Sequence, residues 1–323
     1  MNITPSSPPD AGASDHVQPQ IDATARIPGG ERALVLGGGG STGNAWLIGV
    51  VAGLFEAGLD VTTADLTVGT SAGATAAAQL AGATPTELYA ATVAVTPQQR
   101  PGPMGPDAGR APTRPVTDHL DRFRGIIAAS DDLADMRRRM GTLALDSDAA
   151  SDGAGSARWR ATVASRLPSQ DWPSRTLLIT AVDAHTGEPV VLDRDSGVDL
   201  VDAVAASTSG GGVPYRIHGR GYLDGGYRAN AENADLAAGY QRVLVLSPFG
   251  GRSLYPAEWG THLATQVDAL RARGSRVEVV CPDSGSEHLF GGGAMDLSLR
   301  PAAARVGHDQ GRALAARLAS FWL

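Results

Sequence analysis

A three-layer α/β/α sandwich with a mainly parallel central sheet is the fold class this sequence predicts, on three observations. Apolar runs at Ala33 to Leu36, Leu66 to Val68, Thr176 to Val182, Val243 to Leu246 and Val277 to Val280 are largely continuous, as expected of strands covered on both faces. Segments with helical spacing stand between them, and glycine-rich turns end the first two. The chain has 323 residues, 42% of them hydrophobic, and a domain of that length buries roughly 75% of its unfolded surface.

Residues 1 to about 30 are rich in Pro, Ser, Asp, Ala and Gln and lack a hydrophobic period, so they are expected to form a disordered tail ahead of a single domain over 31–323. The strand Ala33 to Leu36 runs into four glycines. Leu47, Ile48, Val51, Leu54 and Phe55 then fall on a helix over Asn44 to Ala57, stopped by Gly58. A second strand, turn and helix follows in Leu66 to Val68, Gly69 to Gly73 and Ala74 to Leu80. Glu87 to Val95 adds a helix, and the six prolines and three glycines of Pro97 to Pro115 predict an irregular excursion. Residues 117 to 145 are expected to be helical, Asp146 to Ser156 flexible, and helical packing to resume near Trp159. Thr176 to Val182 and Pro189 to Leu192 form a hairpin through Ala184 to Gly187, followed by a short helix over Asp199 to Ala206. A helix around Ala257 to Arg273 separates the last two strands, and Pro301 to Trp322 closes the fold as a helix.

Charge and composition exclude several functions. The formal charge of −7 offers no electropositive footprint for nucleic acid. All 27 basic residues are Arg, which removes any lysine base, Schiff base or phosphate-loop lysine. The lone Cys281 ends an apolar run and reads as a buried structural thiol, not a nucleophile. Asp131-Asp132 and Asp193 with Asp195 read as solvated surface acids, so no metal site is expected. No stretch approaches the roughly 20 apolar residues of a membrane span, and no secretory signal is visible, which predicts a cytoplasmic protein.

Three short motifs carry the chemistry. Gly69-Thr70-Ser71-Ala72-Gly73, between a strand and a helix, has the G-x-S-x-G spacing of a serine on a strained turn. Gly69 and Gly73 there let strand and helix approach. The run Gly37-Gly38-Gly39-Gly40-Ser41-Thr42-Gly43 can aim several amides at one oxygen atom, as an oxyanion hole requires. It also satisfies the dinucleotide fingerprint through Gly38-x-Gly40-x-x-Gly43, with Asp60 as the ribose-binding acid, so a nucleotide-binding module stands as a competing reading. Asp224-Gly225-Gly226 is an aspartate followed by two glycines, which on its own reads as a turn.

Taken together and in this order, the three motifs resemble the patatin-like phospholipase family, over the chain from Arg32 to about Arg228. The resemblance implies a cofactor-free lipid acyl hydrolase. It assigns Ser71 as nucleophile, Asp224 as base in a dyad without histidine, and Gly38, Gly39 and Gly40 as the oxyanion hole, with Gly43, Gly69, Gly73, Gly225 and Gly226 as motif support. The substrate is then a lipid or other carboxylic ester, with transient peripheral membrane contact. Two positions depart from the family pattern. Thr42 stands where members usually carry Arg or Lys, which weakens the case for an anionic headgroup. Ala206 to Pro214 replaces a serine-alanine-proline pattern, which is expected to loosen the wall near Asp224. These departures motivate a third reading, a lipid-binding member with weak turnover.

A histidine-assisted triad would need His288 or His308 after Asp224. His308 lies in an amphipathic helix and is expected to face solvent, and His288 precedes the Gly291-Gly292-Gly293 loop. That loop and Pro97 to Pro115 are the two candidates for a lid over the site.

Overall fold

The computed structural model describes residues 22–94, 116–149, 154–210 and 212–323. Most of the predicted tail, the Pro97 to Pro115 excursion and residues 150–153 of the predicted flexible stretch lie outside the described residues. The end of the predicted tail is described, and it is packed: Ala23 is fully buried, its amide donates to the Val191 carbonyl at 2.7 Å, and Arg26 pairs with Asp193 at 2.9 Å. Composition alone did not reveal that these residues cover a strand edge.

Among the described residues, eight strands form one sheet. They are β1 (Gly30–Leu36), β2 (Leu66–Gly69), β3 (Thr176–Asp183), β4 (Pro189–Leu192), β5 (Tyr215–Ile217), β6 (Arg220–Asp224), β7 (Tyr240–Leu246) and β8 (Arg276–Val280). Their order is β5-β6-β3-β2-β1-β7-β8, with β4 also paired to β3. The five-strand run from β3 through β2, β1 and β7 to β8 is parallel, and β4, β5 and β6 join antiparallel. The pair β5 and β6 was not predicted, because a three-residue and a five-residue strand around His218-Gly219 offer too short a pattern to read.

The central strands divide their side chains between two cores. Leu34, Leu36, Leu244 and Leu246 enter one cluster with helices α1 (Gly40–Glu56), α2 (Ala72–Gly82), α7 (Leu200–Ser207) and α9 (Arg300–Trp322). Ala33, Val35, Val243 and Val245 enter the other, beneath α8 (Leu263–Ala272). Each strand is therefore apolar at successive positions, which is why the runs were continuous. A third cluster joins Val182 and Leu223 to α4 (Val116–Ala128) and α5 (Leu133–Ala149). The remaining helices are α3 (Pro85–Ala94) and α6 (Gly155–Ala164).

Helices α1 and α9 pack backbone against backbone. A Cβ built on Gly53 would lie 2.1 Å from the His308 carbonyl, and one on Gly311 2.3 Å from that of Val50. This approach buries His308, which sequence spacing had assigned to solvent. Its Nε2 is 2.7 Å from Glu56 Oε2 and its ring stacks on Tyr89 at 4.3 Å. No described helix is long and apolar enough to cross a membrane.

Candidate active site

Strands β1, β2 and β3 follow one another in one direction along the sheet, whereas β7 and β8 lie beyond β1 on the other side. The glycine loop leaves β1 at this switch point, where open α/β sheets form their crevices. Gly37 holds the loop to β7 by donating to the Leu246 carbonyl at 3.0 Å.

Ser71 leaves the end of β2 with φ 52° and ψ −114°, a left-handed backbone that costs a non-glycine residue roughly 1–3 kcal/mol. The flanking glycines explain how the turn closes. A Cβ on Gly73 would stand 1.8 Å from the Leu36 carbonyl, and one on Gly69 2.7 Å from the Ala74 Cα. The Ser71 amide donates to Ser207 Oγ at 2.9 Å, which fixes the turn from α7.

Sheet register explains the approach of Asp224. Gly69 pairs with Ile179, two residues before Ser71 and two before Ala181, and Ala181 pairs with Asp224 on the antiparallel β6. Positions 71 and 224 are therefore level with each other on either side of β3, and their side chains meet above it. Ser71 Oγ donates to Asp224 Oδ2 at 2.8 Å, while Asp224 Oδ1 accepts the Gly226 amide at 2.8 Å. A Cβ on Gly225 would lie 2.1 Å from Thr180 Oγ1, so the aspartate turn needs glycine to settle on β3.

Burial raises the Asp224 carboxyl from 3.8 to about 6, against the opposing hydrogen bonds from Gly226 and Ser71. A carboxylate with that value is ionised near neutral pH and is a stronger base than one in water. Among the described residues, no histidine bonds to Ser71 or Asp224; His288 is exposed and His308 is committed to Glu56.

The glycine loop lies against the hydroxyl: a Cβ on Gly38 would be 3.5 Å from Ser71 Cβ. Its amides differ, however. The Gly38 amide donates to the Ala231 carbonyl at 2.7 Å and so is not free to bind an oxyanion, contrary to its predicted role. Those of Gly39 and Gly40 donate to no acceptor among the described residues. Gly39 itself has no room for a side chain, since a Cβ there would be 2.5 Å from Pro248 Cβ.

The dinucleotide reading loses its acid. Asp60 closes a local turn, its Oδ1 accepting from Thr62 N at 2.9 Å, and it precedes β2, whereas the glycine loop lies at the opposite ends of the strands, beyond the 17 residues of α1. Those 17 residues span roughly 25 Å.

Several contributors went unseen in the sequence. Asn233, buried and left-handed at φ 55°, donates from Nδ2 to Thr70 Oγ1 and to the Gly225 carbonyl, each at 3.0 Å. Thr180 Oγ1 donates to the same Thr70 oxygen at 3.0 Å, so one buried network ties the serine turn to the aspartate turn. The polar trio Asn230, Glu232 and Asn233 just after the aspartate motif was the available signal, because buried polar groups need partners. Ser207 and Gly210 close the wall that was expected to loosen: Gly210 packs on Asp224, a Cβ there reaching 3.3 Å from Oδ2.

Two further features bear on substrate. A narrow apolar crevice is lined by Phe123, Ile126, Met140, Leu223 and Tyr227. Thr42 is buried with no partner for its hydroxyl among the described residues, yet a cation reaches this turn from α9, where Arg300 Nη1 donates to the Ser41 carbonyl at 2.8 Å. No local pattern signals this contact, which joins residues 259 positions apart. The Gly291 to Gly293 loop leads into Ala294, whose carbonyl accepts the Thr42 amide at 3.0 Å. Among the described residues no group of three His, Cys, Asp or Glu is placed to hold a metal.

A protein-family model described as patatin-like phospholipase matches residues 34–237. Among solved structures, VipD from Legionella pneumophila is similar at 13% identity and a TM-score of 0.39, over 90% of this chain and 67% of that one. The type III effector ExoU is similar at 17% identity and a TM-score of 0.31, over 88% of this chain, which spans only 54% of the ExoU chain. A search of curated proteins gives no significant match.

Proposed function

The chain belongs to the patatin-like phospholipase family, and on that premise we propose that it cleaves carboxylic esters of lipids with Ser71 as nucleophile and Asp224 as base. The observation that carries this reading is the 2.8 Å hydrogen bond from Ser71 Oγ to Asp224 Oδ2, beside two uncommitted loop amides.

In the proposed mechanism Ser71 Oγ attacks the ester carbonyl as its proton passes to Asp224 Oδ2. The carbonyl oxygen becomes an oxyanion and takes the Gly39 and Gly40 amides. Collapse breaks the ester C–O bond, and the proton held on Asp224 moves to the departing alcohol oxygen. Water then attacks the acyl-serine, gives its proton to Asp224, and the carboxylic acid leaves as Ser71 regains its hydrogen. An oxyanion-hole donor is worth roughly 10² to 10³ in rate, so two of them offset much of the weakness of a carboxylate base. The fixed Oδ1–Gly226 bond leaves only Oδ2 to carry protons.

The test is hydrolysis of a chromogenic ester series of increasing acyl length, together with fluorophosphonate labelling. Ser71→Ala is expected to abolish both while its circular dichroism matches the wild type. Labelling at another serine, or activity retained in Ser71→Ala, would remove Ser71 from the role. An inert wild type that still binds lipid would instead favour a binding protein without turnover.

A further inference from the structure

Glu232 is a buried carboxyl that takes no part in the proton transfers of the mechanism above. Burying such a group is unfavourable unless it is hydrogen-bonded, so its partners point to its role. Ser247 Oγ donates to Glu232 Oε1 at 2.6 Å and accepts the Gly251 amide at 2.8 Å. The Glu232 amide donates to Asn230 Oδ1 at 2.9 Å. Residue 232 is therefore fixed at its backbone, and its side chain reaches across to the end of β7.

That bond joins the two walls between which the glycine loop lies. One wall is the segment of Glu232 itself. The carbonyl of the preceding residue, Ala231, accepts the Gly38 amide at 2.7 Å, and a Cβ on Gly37 would be 3.2 Å from Glu232 Cγ. The other wall is the end of β7, where the Leu246 carbonyl accepts the Gly37 amide at 3.0 Å. Pro248 packs against the loop there: a Cβ on Gly39 would be 2.5 Å, and one on Gly43 3.1 Å, from Pro248 Cβ. Proline has no amide proton, so Pro248 cannot be held through its own N–H. Its neighbour Ser247 is held instead, its amide by the Val280 carbonyl at 2.9 Å and its hydroxyl by Glu232.

We propose that Glu232 is a positioning residue for the oxyanion-binding amides of Gly39 and Gly40, acting through its hydrogen bond to Ser247. The bond sets the separation between the Ala231 carbonyl, which holds Gly38, and Pro248, which backs Gly39. This role rests on the hydrolase reading, because it matters only where an oxyanion forms at those amides. The bond needs an acceptor oxygen and no charge. Burial also pushes the Glu232 carboxyl above its ordinary value, which favours the neutral form, so a glutamine is expected to serve in its place.

Steady-state hydrolysis of a soluble chromogenic ester, with active sites counted by fluorophosphonate labelling, tests the role on the full chain. In Glu232→Ala and in Ser247→Ala, kcat per labelled site is expected to fall about 10- to 100-fold at unchanged KM, as when contacts made only in the transition state are weakened. Glu232→Gln restores the acceptor and is expected to recover most of that loss, to within about threefold of the wild type. The double variant Glu232→Ala/Ser247→Ala is expected to be no slower than the slower single one, because both residues act through one bond. A purely structural residue would lower the yield of labelled sites or the melting temperature and leave kcat per site unchanged, and that result overturns the proposal. Additive losses in the double variant, or a Gln variant as slow as the Ala one, overturn it as well. Where Glu232→Ala fails to fold, Ser247→Ala and Glu232→Gln decide by the same criteria. A wild type that neither cleaves the ester nor labels removes the hydrolase reading and this role with it, whereas an active wild type with unimpaired Ala variants removes this role alone.

Discussion

Replacing Asp224 by Asn is expected to stabilise the protein while stopping turnover. Burial raises the folded carboxyl from 3.8 to about 6, so the folded state holds the proton more tightly than the unfolded chain does. The sign follows from linkage. A raised folded value contributes stability that is fully present below pH 3.8 and is lost as pH rises through about 6. About two pKa units correspond to ~3 kcal/mol of ionisation cost at pH 8. Asn has no such cost, and its amide still offers Oδ1 to the Gly226 amide and an N–H to Ser71 Oγ. Asp224→Asn should therefore exceed the wild type by up to ~3 kcal/mol at pH 8 and by ~1.5 kcal/mol at pH 5. The difference at pH 8 corresponds to a rise in Tm on the order of 5 °C for a chain of this size. Urea unfolding followed by tryptophan fluorescence at the two pH values measures both differences. A variant less stable than the wild type at pH 8, or a gap that does not grow with pH, would refute the argument that desolvation governs this carboxyl.

Other consequences can be measured in parallel. The acid limb of kcat/KM on an uncharged ester should fall tenfold per pH unit below about 6, where Asp224 takes up its proton, and a limb near pH 4 would contradict the raised value. Asn233→Ala should cost about 2–4 kcal/mol in chemical denaturation, because it strands the Thr70 hydroxyl and the Gly225 carbonyl and puts alanine at φ 55°. Gly53→Ala, whose methyl would meet the His308 carbonyl at 2.1 Å, should lower stability by about 3 kcal/mol or more in the same assay. A neutral effect there would mean that α1 and α9 separate easily.

The local sequence carried much of the fold because the signals are local. Strands covered on both faces must be apolar at successive positions, and tight strand-to-helix turns must be glycine, so five parallel strands and both glycine turns were legible residue by residue. The short antiparallel pair β5 and β6 was not, since three and five residues hold too little pattern and depend on β3 for their partners.

At the candidate site, residue types and spacing named Ser71 and Asp224, but a separation of 153 positions says nothing about distance. The register of β2, β3 and β6 decides that the two oxygens meet, and burial decides the basicity of the carboxylate. Tertiary contacts likewise commit the Gly38 amide to Ala231, turn His308 inward onto Glu56, and bring Arg300 to the first turn of α1. Sequence determines which groups are present and which backbone turns are possible. Only the assembled sheet and its helices determine which donors are already used, which charges lose their water, and which residues distant along the chain become neighbours.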